Sequence, residues 1–104
     1  FDRQVVGYVS LGRNRVTAIP YAGEIFELYL KPEFQGLGFG SRLFAAARED
    51  LAENGYLSII VWALADNERA LRFYEGLGGV EVWRASERFD NDTRARVAFG
   101  FAAN

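Results

Sequence analysis

The chain has 104 residues, half of them hydrophobic and a quarter charged, with a formal net charge of −2. That is enough for one packed core and too little for two, and the near-neutral balance leaves no electrostatic footprint for nucleic acid. Cysteine and histidine are absent, which excludes disulfides, thiolate nucleophiles, cysteine–zinc sites and imidazole bases; no metal is expected, and any chemistry falls to carboxylates, tyrosine, serine, backbone dipoles or the ligand itself. With no signal peptide and no long apolar run, a cytoplasmic protein without membrane contact is expected.

In chain order, Phe1 to Gln4 reads as the end of a strand and a turn, and Val5 to Leu11 (VVGYVSL) as a largely apolar strand. Gly12 to Asn14 makes a turn. Arg15 to Tyr21 is ambiguous, with Pro20 marking an edge or a strand end. Glu24 to Leu30 (EIFELYL) is a strand whose alternation places Glu24, Phe26, Leu28 and Leu30 on one face and Ile25, Glu27 and Tyr29 on the other. Carboxylates on both faces of a buried strand are costly unless solvated or given a task. Lys31-Pro32 ends the strand, since proline has no N–H to donate.

From Gly40 to Asn54, Leu43, Phe44, Ala47 and Leu51 recur at helical spacing, and Asn54-Gly55 is a stop. Leu57 to Ala63 (LSIIVWA) is a buried-strand run, so strand, helix and strand imply a right-handed parallel crossover. Asp66 or Asn67 caps a second helix through Leu77, with Ala70, Leu71, Phe73, Tyr74 and Leu77 on its apolar side. Val80 to Phe89 and Thr93 to Phe101 flank Asp90-Asn91-Asp92, a loop suited to a closing antiparallel hairpin.

Between the strand and the first helix, Gly36, Gly38 and Gly40 stand at alternate positions. Lacking Cβ atoms, they can take positive φ and let a ligand approach the backbone. The helix behind them opens with unpaired N–H groups and the positive end of its dipole, so the unit suits a phosphate or pyrophosphate. It is not a Walker loop, because no lysine follows these glycines. It is a poor dinucleotide fingerprint, because Ser41 occupies the last glycine's place.

Gln35-Gly36-Leu37-Gly38-Phe39-Gly40 resembles the acyl-CoA-binding motif of the GNAT superfamily of N-acetyltransferases: Gln or Arg, any two, Gly, any one, Gly or Ala. Val61-Trp62-Ala63, then Asn67, Ala70, Phe73-Tyr74 and Leu77-Gly78-Gly79, resembles that superfamily's other signature, in the right order. The resemblance covers nearly the whole chain. It implies a single α/β domain with a mixed α+β sheet: a central strand-helix-strand parallel crossover, a second helix and a C-terminal antiparallel hairpin. In that fold a strand like VVGYVSL is the third, after two strands and two helices, so the resemblance implies that an N-terminal segment is missing. The plain alternative is a compact domain that begins here. Missing strands would expose edges and favour a homodimer.

The activity implied is transfer of an acetyl group from acetyl-CoA directly to a primary amine, on a small molecule or a peptide. Leu28 and Leu30 would offer backbone groups to the pantetheine and polarise the thioester carbonyl. The amides of Gln35, Gly36, Gly38, Gly40 and Ser41 would hold the diphosphate, and Asn67 would contact the pantetheine or its surroundings. Tyr74 matches the tyrosine that protonates the departing thiolate. Glu24, eleven residues before Gln35, matches the base of the histone acetyltransferase branch; Glu27 is the second choice. An acyl-enzyme is not expected without cysteine or a serine–histidine pair. Each residue also has a plainer role: Asn67 as a helix cap, Tyr74 as core, Gln35 as support for its own loop, the carboxylates as surface. The alternative functions are a non-catalytic acyl-CoA-binding or dimerisation module of the same fold, and an unrelated phosphate-ligand protein sharing only the strand–turn–helix unit.

Overall fold

The computed structural model describes residues 7–103, so the expected strand end and turn at Phe1 to Gln4 lie outside the described residues. Five strands form one mixed sheet in the order β1-β2-β3-β5-β4. In sequence these are β1 (Gly7–Arg13), β2 (Gly23–Leu30), a short 3-10 turn (Pro32–Phe34), α1 (Phe39–Glu53), β3 (Ile59–Leu64), α2 (Glu68–Gly76), β4 (Val80–Phe89) and β5 (Asp92–Phe101). β2 and β3 run parallel with α1 crossing between them, and β4–β5 is the expected hairpin. Its loop is tighter than the sequence implies. Phe89 pairs with Asp92, leaving Asp90 and Asn91 to turn, with Asp90 in the left-handed region (φ 51°) that a short polar side chain tolerates.

Both helices pack on one face of the sheet. Phe44, Ala47 and Leu51 of α1 and Tyr74 of α2 close over Ile25, Ile59, Val61, Val97, Phe99 and Phe101. The helical spacing of the apolar residues in α1 places them on this one stripe. The ambiguous stretch after β1 is a loop on the other face. Ile19 inserts there against Ile60 and Ala98, while the Asn14 side chain donates to the carbonyls of Ile19 (3.0 Å) and Tyr21 (2.8 Å). A single asparagine thus satisfies backbone groups that no ladder reaches.

β2 departs from simple alternation. Ser10 pairs with Glu27 but Leu11 with Ile25, so Phe26 is an extra residue on β2. This β-bulge reverses the facing of everything beyond it. Leu28 therefore joins Ile25 against the helices, and Leu30 Cδ2 lies 3.8 Å from the Cβ position of Gly40 in α1. Glu24 and Phe26, sharing contact with Arg15, take the opposite face. The expected grouping of Glu24 with Leu28 and Leu30 is corrected by this one inserted residue.

Candidate active site

β2 and β3 part company early. Their backbone pairing runs only from Gly23↔Ile59 to Ile25↔Val61. Beyond it β3 keeps β5 and β2 keeps β1, so among the described residues the side of β2 that faces β3 has no strand partner from Phe26 to Leu30. A wedge opens between two strands of one sheet, with unused main-chain donors and acceptors along one wall.

The glycine turn sits at the mouth of that wedge. Gly36 (φ 80°) and Gly38 (φ 83°) are left-handed, and a Cβ on either would meet nothing within 4 Å, so their backbone faces open space. Gly38 is the N-cap of α1 with no side-chain cap, and the first turn carries no acidic residue. Among the described residues, the N–H groups from Gly36 to Ser41 donate to no protein acceptor, while Arg42 N–H already bonds Gly38 O. The Gln35 amide is different: it bonds Pro32 O, and the Gln35 side chain donates to Leu30 O across 3.0 Å. Gln35 ties the turn to the end of β2, and the six amides after it form the open cradle. Gly40 serves another need, since its Cβ would stand 3.3 Å from the Phe73 ring of α2. It lets the two helices approach.

Leu28, Leu30, Gln35, Gly36, Gly38, Gly40, Ser41, Asn67 and Tyr74 all line one cavity of about 470 Å³, within the range of ligand sites. Asn67 caps α2, its Oδ1 accepting from Ala70 N–H at 3.2 Å. Tyr74 is 6% exposed, its ring centroid 6.1 Å from Phe44 and 5.9 Å from Phe99, and burial pushes its phenol up to about 12. It therefore keeps its proton at any physiological pH.

The two carboxylates expected nearby do not line this cavity. Glu24 is 2% exposed; Oε2 accepts from the Trp62 indole N–H (2.9 Å) and Oε1 from the Arg15 backbone N–H (2.9 Å), with the Arg15 guanidinium 3.4 Å away. Glu27 lies exposed beside Tyr8, and its acceptance of the Tyr8 hydroxyl raises that phenol's pKa. Three lining residues were not singled out as ligand contacts from sequence: Arg69, Ala70 and Phe73. A signal was available for Arg69, which precedes Phe73 by one helical turn and so shares its side of α2. Among the described residues no group of histidine, cysteine, aspartate and glutamate is placed to hold a metal ion, and no helix is long and apolar enough to cross a membrane.

The profile of the acetyltransferase (GNAT) family matches residues 1–78. A mycothiol acetyltransferase of Kocuria rhizophila is 39% identical over 64 residues, covering 62% of this chain and 21% of its own length. The uncharacterized N-acetyltransferase YuaI of Bacillus subtilis is 35% identical over 86 residues, covering 83% of this chain and 48% of its own. The chain thus spans between a fifth and a half of these relatives. Arabidopsis thaliana NAA60, solved in complex with acetyl-CoA, superposes with a TM-score of 0.76 at 13% identity, over 96% of this chain and 67% of that one. At that identity the likeness is one of fold.

Proposed function

The chain belongs to the GNAT family of acetyltransferases, and we propose that it moves an acetyl group from acetyl-CoA directly to a primary amine, without an acyl-enzyme. The observation that carries this reading is the open run of amides from Gly36 to Ser41, set at the mouth of the β2–β3 wedge and in one cavity with Tyr74. Acetyl-CoA would supply the activated thioester. The amides of the glycine turn and the α1 dipole suit its diphosphate. The unpaired edge of β2 at Leu28 to Leu30 suits the amides of the pantetheine arm, and a main-chain N–H there would polarise the acyl carbonyl. Tyr74, protonated and buried, would hand its proton to the departing thiolate.

The attacking nitrogen must also lose a proton. Both oxygens of Glu24 are engaged and Glu27 is on the other face, so in this reading water at the cavity mouth takes that proton, and Glu24 positions β2 against β3. The acceptor is an amine of a small molecule or a peptide. The absence of any carboxylate among the lining residues favours a second reading, a module that binds acyl-CoA without turnover.

Calorimetry with acetyl-CoA, followed by thiol release across a panel of amines, tests both. Wild type should bind and Gly38→Asp, which puts a like charge into the cradle, should not. Thiol release with an amine establishes transfer; binding without release leaves the module. Failure of wild type to bind acetyl-CoA sinks both readings.

A further inference from the structure

Tyr29 stands between Leu28 and Leu30, both of which line the cavity, and strand alternation turns its side chain to the other face of the sheet, the one without helices. Its ring is 44% exposed there, and Tyr8, its partner across the ladder, is 48% exposed. The two rings lie 5.4 Å apart at 33°, a tilted pair open to solvent. Glu27, two residues before Tyr29, accepts the Tyr8 hydroxyl, so the three side chains make one cluster. Among the described residues Glu27 makes no ion pair, and Arg15, on the same face, is taken by Glu24 and the Phe26 ring. Single exposed aromatics are ordinary; two in contact beside a carboxylate without a counter-ion are a surface with a chemistry. The cluster lies beyond Ile25↔Val61, where β2 and β3 stop pairing and the two faces of the sheet communicate.

We infer that Tyr8, Tyr29 and Glu27 hold a second positive charge on the acceptor, which makes the acceptor class a small aliphatic diamine. This rests on the transfer reading above and names its substrate class. The π faces of two tyrosines and one carboxylate attract an ammonium group and offer nothing to an anion. A carboxylate has about four lone-pair sites and the Tyr8 hydroxyl uses one, so Glu27 keeps capacity for an N–H donor. An amine coming from this face passes Tyr29 to reach a thioester on the Leu28 and Leu30 side. The near end of a short diamine then enters the slit while its far end rests on the rings. Two rings and one carboxylate suit one ammonium group, which favours a small molecule over a peptide. Because the cluster is exposed, the preference should fall with salt.

The experiment uses amines of one length and three end charges: 1,5-diaminopentane, pentylamine and 5-aminopentanoate. Each is titrated into wild type, Glu27→Gln, Tyr29→Leu and, as a control at the far end of α1, Glu53→Gln. Tyrosine ring proton shifts followed by NMR read binding without turnover, and thiol release from acetyl-CoA gives kcat/KM for each amine. The diamine should shift the Tyr8 and Tyr29 resonances and exceed pentylamine about tenfold in kcat/KM, with 5-aminopentanoate slowest. Glu27→Gln and Tyr29→Leu should each bring the ratio of diamine to pentylamine down towards one, as should added salt, while Glu53→Gln keeps the wild-type ratio. Equal rates for diamine and pentylamine with wild type overturn the inference, and so does a ratio that Glu27→Gln leaves unchanged. An equal loss for all three amines also overturns it, marking Glu27 as a base or a structural group. Ring shifts with the diamine but thiol release with no amine sink the transfer reading and support the cation site; no ring shift with the diamine sinks the cation site whatever the rates.

Discussion

Trp62 donates its indole N–H to Glu24 Oε2 across 2.9 Å, at the first β3 residue that no longer pairs with β2. Where the ladder stops, this side-chain bond takes over and closes the apex of the wedge. A diagonal pair of this kind is within reach on one sheet face, because Glu24 sits opposite Ile60 and Trp62 is two residues on. Glu24→Ala should destabilise the fold by about 1–3 kcal/mol, since it removes the acceptor of the half-buried Trp62 indole and of the Arg15 backbone N–H, whereas Glu24→Gln, keeping an acceptor, should cost about 1 kcal/mol. Urea melts of these variants with Trp62→Phe, read as a double-mutant cycle, measure the coupling. In activity assays Glu24→Gln should stay within a few-fold of wild type. A loss of about 100-fold with unchanged stability would instead make Glu24 the base.

Tyr74→Phe isolates the phenol. The reading of Tyr74 as proton donor predicts a fall in kcat of about 100-fold with KM for acetyl-CoA nearly unchanged, which steady-state kinetics would check. Stability carries a second signature. The folded phenol titrates at about 12 against an ordinary value of 10.0, so its contribution is fully present below pH 10 and is lost as pH rises through 12. The loss, on the order of 2 kcal/mol, should be visible in thermal melts between pH 9 and about 12 and should be missing from Tyr74→Phe.

The glycines of the turn should fail in different ways. Gly38→Ala gains no steric contact and costs about 1–2 kcal/mol purely through the left-handed backbone, with Gly38→Asn costing less. Gly40→Val instead drives a side chain at the Phe73 ring and should cost about 1–3 kcal/mol by forcing α1 and α2 apart. Denaturant melts rank these. Equal costs for Gly38→Ala and Gly38→Asn would remove the backbone explanation.

Asn67 separates stability from binding. Asn67→Ala loses the cap on Ala70 N–H and about 1 kcal/mol. Asn67→Asp keeps the cap, and hence the stability, but adds a negative charge to the cavity lining. Calorimetry should find acetyl-CoA binding weakened in Asn67→Asp despite an unchanged melting temperature.

What could be read without coordinates is what neighbouring residues decide among themselves. Pro32 ends β2, the paired glycines turn the chain, Asn67 caps α2, and the apolar spacing of Phe44, Ala47 and Leu51 orients α1. The crossover follows from that order, and nine expected site residues share one cavity because the turn and the two helix starts follow directly from strands of one sheet. The extra residue at Phe26 was not legible, because a bulge is a relation between β1 and β2 and leaves no mark in the alternation of either. With it went the facing of Glu24, whose partner Trp62 is 38 residues away, and the approach of Arg69 on α2 to a turn that opens α1. Local sequence sets backbone conformation through sterics and hydrogen bonding within a few residues; which side chains then meet depends on register and packing between segments far apart in the chain, and only the folded sheet decides that.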